Sequence, residues 1–307
     1  MTPETSTALQ GPDFFIVGAP KCGTTAMAAY LSQHPAIGMC PRKETHHFGT
    51  DLHSRLAIKD GQQPPDHRRY MDLFKDAQGE RRRGEASVWY LYSATAATEI
   101  RAFCPTAQII VMLRNPADML PSLHSEFVFV GIEPVEDFEA ALALDSERER
   151  AGAPRGFPPR SYRSAIRYAE QLRRYLDVFG RERLKVIVYD DFRDDTEGVY
   201  RDTCEFLGVD AGFTPKIEVV NPNKRVRSKA MRRLVRRPPE RLRPALHAVT
   251  SESMRRRGGA ILNRWNTRFD RRPPVSDRIR SELRPEVERQ VRELDELIGL
   301  DVRAWLD

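Results

Sequence analysis

The chain has 307 residues, enough for one large domain or two ordinary ones that bury a core without staples. Hydrophobic residues make up 40% and charged residues 31%, no uncharged apolar run approaches the roughly 18 to 20 residues of a membrane span, and Cys22, Cys40, Cys104 and Cys204 lie far apart without CxxC spacing, which argues against a spanning helix, a disulfide scaffold and a structural zinc site. The net charge of +6 is built from 42 Arg and only 8 Lys, a bias that a GC-rich genome also produces, so lysines in unusual places, Lys21 and Lys43, draw attention. Residues 1–12 are polar, without a basic stretch leading into an apolar one. They read as a disordered lead rather than a secretory signal, and the expected compartment is the reducing cytoplasm.

Asp13 to Gly18 is a short apolar run ending in glycine, the pattern of a buried parallel strand. A loop, Ala19 to Gly23, leads into a predicted helix from Thr24 to Ser32 that stops near His34-Pro35. The next strong strand is Ala107 to Leu113, running into Arg114-Asn115-Pro116 and a helix from about Ala117 to Phe127. A third, Leu184 to Tyr189, precedes Asp190-Asp191 and a helix reaching Gly208, and helical spacing extends over 161–179 and 278–298. Strands alternating with helices predict an α/β domain with a central parallel sheet flanked by helices and a P-loop-like topology, spanning 13–307. Within it, residues 224–257 carry 13 Lys or Arg against two acids, Glu240 and Glu252. That segment reads as a solvated region near an anionic ligand, with a nucleic-acid or membrane-surface patch as the alternatives.

Gly18-Ala19-Pro20-Lys21-Cys22-Gly23-Thr24-Thr25 has the length of a phosphate loop. A Gly-bearing turn at a helix N-terminus aims backbone N–H groups and the helix dipole at an anion. The Walker pattern needs Gly-Lys-Ser/Thr at its end, whereas here Thr24 follows Gly23 and the lysine lies two residues earlier. A kinase or GTPase reading therefore fits poorly.

The strand followed by Pro-Lys-x-Gly-Thr-Thr resembles the 5′-phosphosulfate loop of sulfotransferases that use 3′-phosphoadenosine 5′-phosphosulfate (PAPS). Three more segments carry the likeness: residues 109–127 (IIVMLRNPADMLPSLHSEF), Pro41 to Phe48 (PRKETHHF) and Gly84 to Tyr90 (GEASVWY). They resemble the 3′-phosphate motif and two segments of the heparan-sulfate-type branch and its bacterial relatives. Residues 291–306 resemble the family's closing helix and tail, so the likeness runs from about Asp13 to Leu306. The departures are Ala86 where a lysine often stands, Val88 where a proline stands, and either Gly49 where a second phenylalanine stands or His47 as an insertion.

The resemblance implies a sulfuryl transfer from PAPS to a hydroxyl of a small molecule, lipid or sugar, with no metal required and no nucleic-acid partner. It assigns Lys21 to the leaving oxygen, the amides of Cys22, Gly23, Thr24 and Thr25 to the 5′-phosphate, and Arg114 and Ser122 to the 3′-phosphate. The acceptor's proton needs a base. Glu44 holds that place by motif, with Lys43 beside it, and His46 and then His47 compete because imidazole titrates near neutral pH. Trp89 or Tyr90 is a candidate for stacking on adenine, and Lys224, Arg225, Arg227, Ser228 and Lys229 are candidates for closing over the nucleotide. The competing readings are an ATP-dependent kinase, for which Asp190-Asp191 is the best case, and a nucleic-acid-binding protein using the Arg-rich segment.

Overall fold

The computed structural model describes residues 10–56, 66–77, 79–150, 161–218, 224–226, 267–269 and 275–307. Most of residues 1–12, expected to form a disordered lead, and most of the Arg-rich segment, Arg227 included, lie outside the described residues. The chain divides into two compact units, the first made of Met1–Leu123, Asp137–Asn221 and Val275–Asp307, the second of His124–Glu136 and Pro222–Pro274.

The first unit is built on five parallel strands. In chain order its elements are β1 (Phe14–Gly18), α1 (Thr24–Leu31), β2 (Ile37–Met39), α2 (Thr50–Leu56), α3 (His67–Asp72), β3 (Arg82–Ala86), α4 (Ala96–Phe103), β4 (Gln108–Leu113) and the start of α5 (Pro116–Val130). After the second unit's first segment come α6 (Phe138–Ala143), α7 (Asp145–Arg150), α8 (Tyr162–Ala165), α9 (Tyr168–Phe179), β5 (Leu184–Val188), α10 (Tyr189–Asp194), α11 (Thr196–Leu207) and α12 (Asp277–Ile298). The strand order is β2-β3-β1-β4-β5. Phe14 pairs with Gly84 on one side and Gln108 on the other, so β1 is central and its residues are fully buried. Crossover to both sides of β1 leaves a crevice at the carboxyl ends of the strands, where such sheets take ligands.

The three predicted strands and the α1 helix are present. The sequence reading missed β2 and β3, the strands on one side of β1. Arg82-Arg83-Gly84-Glu85-Ala86 looks too polar for a sheet interior, but its charges are matched by tertiary partners. Arg82 Nε and Arg83 Nη2 donate to the two oxygens of Asp13 at 2.7 and 2.9 Å, at the foot of β1. Gly84 is required where it stands, because an added Cβ would lie 2.2 Å from the Phe14 ring. The predicted helix over 161–179 is broken at Ile166-Arg167 into α8 and α9.

The C-terminal helix α12 docks on α8 and α9. Arg163 Nε donates to Glu286 at 2.8 Å and its Nη2 to Glu282 at 2.7 Å, while Gln290 Oε1 accepts from the Ala169 amide at 3.1 Å. In the second unit, the His124 ring nitrogen lies 2.9 Å from the Val135 carbonyl, and β6 (Lys224–Val226) pairs antiparallel with β7 (Thr267–Phe269). No described helix is long and apolar enough to cross a membrane.

Candidate active site

The phosphate-type loop lies between β1 and α1. Gly23, the N-cap of α1, sits in the left-handed region at φ 88°, and an added Cβ would press on Phe192, Tyr189 and Met112 at 3.2 to 3.3 Å. Lys21 is also left-handed, at φ 64°. Gly23, as the N-cap, brings no side chain to cap the first-turn amides of α1. Thr24 is buried and Thr25 partly exposed. Cys22 is fully buried, and burial pushes its thiol up to about 12 even though Arg114 and Lys21 pull the other way. It is a space-filling thiol, not a nucleophile.

Arg114 leaves the carboxyl end of β4 beside this loop. Its guanidinium carbon stands 4.5 Å from the centre of the Tyr189 ring, a cation–π geometry, and its Nη1 reaches toward the Lys21 carbonyl at 3.5 Å. The Arg114 backbone is fixed too, its carbonyl accepting from the Tyr168 hydroxyl at 3.2 Å. The Arg114 Nε is buried and has no hydrogen-bond partner among the described residues. A buried guanidinium donor with no partner among the described residues is one that an anion could meet. Ser122 is buried on α5, eight residues after Arg114. Asn115 caps α5, its side-chain oxygen accepting from the Ala117 amide at 3.0 Å.

Glu44 stands on the other side of β1. Its Oε2 accepts from the Val88 amide at 3.0 Å and its Oε1 from Lys43 Nζ at 2.5 Å, and its own amide donates to the Ala86 carbonyl at 2.9 Å. Val88 links this carboxylate to the phosphate-type loop, because its carbonyl lies 2.8 Å from where a Gly18 Cβ would be. A side chain at Gly18 would therefore force the loop away from Val88 and Leu91. His46 Nε2 lies 3.9 Å from Glu44 Oε2, and burial pushes its pKa down while the Glu44 charge pulls it up. His47 is turned the other way, its ring stacked on Tyr70 at 4.0 Å and 9°.

Trp89 is 6% exposed and meets Tyr92 edge-on at 5.9 Å. Little of its indole is open to a base. Asp190 pairs with Arg193 at 2.6 Å on α10. Among the described residues, no cluster of three His, Cys, Asp or Glu side chains stands ready for a metal ion.

Sequence reasoning missed two participants. Tyr189 forms the platform under Arg114, and Glu85 is a fully buried carboxylate that binds four hydroxyls. Glu85 stood in a quoted motif, but nothing in its sequence neighbourhood shows that residues as distant as Thr45 and Tyr70 converge on it.

Residues 12–215 match the profile of the sulfotransferase family. A crystal structure of a sulfotransferase from Alicyclobacillus acidocaldarius superposes on 97% of this chain and 100% of its own, with a TM-score of 0.73 and 32% identity. Human carbohydrate sulfotransferase 15 is 28% identical over 156 residues, covering 38% of this chain and 27% of that protein. The membrane-associated sulfotransferase kil1 of Dictyostelium discoideum is 23% identical over 107 residues, covering 35% of this chain and 21% of that protein. The chain thus spans about a quarter of the length of these two curated relatives.

Proposed function

The chain belongs to the sulfotransferase family, and from that premise we propose that it moves the sulfuryl group of PAPS to a hydroxyl of a small molecule, lipid or sugar by in-line displacement. The observation that carries the donor reading is the buried, unmatched Nε of Arg114, held beside the amide-bearing turn that begins α1. A donor with phosphates at both its 3′ and 5′ positions asks for two such anion sites. ATP has no 3′-phosphate and gives Arg114 nothing of that kind to bind.

In this reading PAPS supplies a good leaving group, and the protein supplies position and charge. The ammonium of Lys21 stabilises the charge that grows on the leaving oxygen. The amides of Cys22, Gly23, Thr24 and Thr25 hold the 5′-phosphate. Arg114, with Ser122 further along α5, holds the 3′-phosphate through charge-assisted hydrogen bonds. Glu44 accepts the acceptor's proton at its carboxylate, and Lys43, 2.5 Å away, holds that carboxylate and faces the sulfuryl oxygens as they pass. His46 is the competing base by its place 3.9 Å from Glu44, although burial, which pushes its pKa down, makes it the weaker one.

A thermal-shift comparison of 3′-phosphoadenosine 5′-phosphate (PAP) with ATP–Mg²⁺ and duplex DNA tests the donor. At 100 times its Kd a ligand stabilises by about 2.7 kcal/mol, so a shift with PAP alone is expected, and a shift only with ATP–Mg²⁺ or DNA would overturn the reading. Labelled PAPS then identifies the acceptor. The human carbohydrate sulfotransferase among the relatives supports beginning that screen with glycans.

A further inference from the structure

Glu85 lies in β3, behind the candidate active site, with no exposed surface. Its Oε1 accepts from the hydroxyls of Thr45 and Ser87 at 3.0 and 2.5 Å, and its Oε2 from those of Tyr70 and Tyr90 at 2.8 and 3.1 Å. The four hydroxyls come from the Glu44 segment, the residues after β3, and α3. Burial holds the carboxyl's pKa above its ordinary value, and each of the four donors acts to lower it. A buried carboxylate of this kind is tolerated only when its lone pairs are met.

The hydroxyls do not stop at Glu85. The Ser87 oxygen accepts from the His46 amide at 3.4 Å, the Thr45 oxygen from the His47 amide at 3.3 Å, and the Tyr90 oxygen from the Phe48 amide at 3.2 Å. Three consecutive amides are therefore tied, one hydroxyl away, to a single carboxylate. The bonds are long individually but converge on one segment. Tyr70 adds a fourth tie, since its ring carries the stacked His47.

The tied segment holds two left-handed residues that are not glycine, Glu44 at φ 59° and His46 at φ 51°. A side chain disfavours this conformation, and such strain persists only where the surroundings over-determine it. Thr45, fully buried between them, is the pin.

We propose that Glu85 is a positioning residue for sulfuryl transfer, a buried hub that holds the 44–48 segment in its strained form through four hydroxyls and so aims Glu44 at the acceptor. This inference rests on the functional reading above, in which Glu44 works on the acceptor side. In Glu85→Gln the shape is kept, but an amide N–H₂ faces two hydroxyl donors, at least one of which must turn away.

The test measures residue-resolved amide exchange, PAP affinity and turnover in the full chain. For Glu85→Gln, exchange at residues 46–48 should accelerate tenfold or more, kcat should fall tenfold or more, and the Kd for PAP should stay within twofold. Added to Glu44→Gln, the same change should cost little further turnover, because both act through one group. Ser87→Ala should speed exchange chiefly at His46, and Tyr90→Phe chiefly at Phe48. These two variants carry the test if Glu85→Gln does not fold. Unchanged exchange at 46–48, acceleration spread evenly over the sheet, or a full further loss in the Glu44→Gln background would overturn the proposal. If the wild-type protein transfers nothing from PAPS, the donor reading falls, and the exchange pattern alone still decides for or against Glu85 as the hub.

Discussion

Glu44 and His46 are 3.9 Å apart, and their roles separate by mutation. Glu44→Gln keeps size but cannot accept a proton at neutral pH. Turnover should drop by roughly 10²- to 10⁴-fold, the usual share of a general base, while PAP affinity barely moves. Near-normal turnover would pass the role to His46. Burial holds the folded His46 below its ordinary pKa. As pH falls below about 6.5, the unfolded chain takes up this proton and the folded one resists it. The contribution is thus fully present above that pH and lost below it. Urea unfolding between pH 5 and 7 should show a shallower loss of stability for His46→Gln than for the wild type. Arg114→Ala belongs here as well. It removes charge-assisted bonds of about 1.5 to 3 kcal/mol each, so it should weaken PAP tenfold or more while hardly affecting adenosine 5′-phosphosulfate, which has no 3′-phosphate. Equal losses for the two nucleotides would remove the 3′-phosphate from Arg114.

Among the elements, the turn from β1 into α1 depends most on one residue. Gly23 is left-handed, and its Cα faces Phe192, Tyr189 and Met112. In Gly23→Ala the methyl group meets both a disfavoured φ and three neighbours at 3.2 to 3.3 Å. A stability loss of about 1 to 2 kcal/mol follows from the backbone alone. Because Tyr189 is also the platform under Arg114, PAP affinity should fall with it. Calorimetric titration with PAP checks this, and an alanine variant that binds normally would show that the turn tolerates an ordinary residue. The strand β3 teaches the opposite lesson. Its polarity hid it from hydropathy, because Asp13 matches its arginines and hydroxyls match its glutamate. Strand identity here was decided by partners far along the chain.

For the whole first unit, the C-terminal residues close the site from behind. The Trp305 carbonyl accepts from the Asn115 amide group at 3.1 Å, next to Arg114, and its ring lies 6.1 Å from that of Tyr168, whose hydroxyl holds the Arg114 carbonyl. Trp305 is 5% exposed. Its replacement by alanine should cost about 3 to 5 kcal/mol, the usual range for a buried tryptophan, and should also weaken PAP because Tyr168 loses its backing. Loss of stability with unchanged PAP affinity would confine Trp305 to packing. A separate expectation concerns the reaction as a whole. If Lys21 and the loop amides carry the charge as proposed, transfer should survive EDTA, and strict dependence on Mg²⁺ would count against that assignment.

How much was legible depended on how far apart the cooperating residues lie in the chain. The strand, turn and helix of residues 14–31 are one continuous stretch, and apolar runs, glycines and a displaced lysine suffice to announce them. Arg114 at the end of an apolar strand, and the Lys43-Glu44 pair, were legible for the same reason, as short motifs with fixed spacing. The sequence by itself therefore determined the α/β class, the central strands and the glycine-bearing turn from β1 into α1. Tertiary structure alone decided that β3 is a strand, that Tyr189 lies under Arg114, that His47 stacks on Tyr70, and that one buried carboxylate gathers hydroxyls from Thr45, Tyr70, Ser87 and Tyr90. The physical reason is that local pattern reports backbone preference and burial, whereas a buried charge is tolerated only through partners that folding brings from elsewhere.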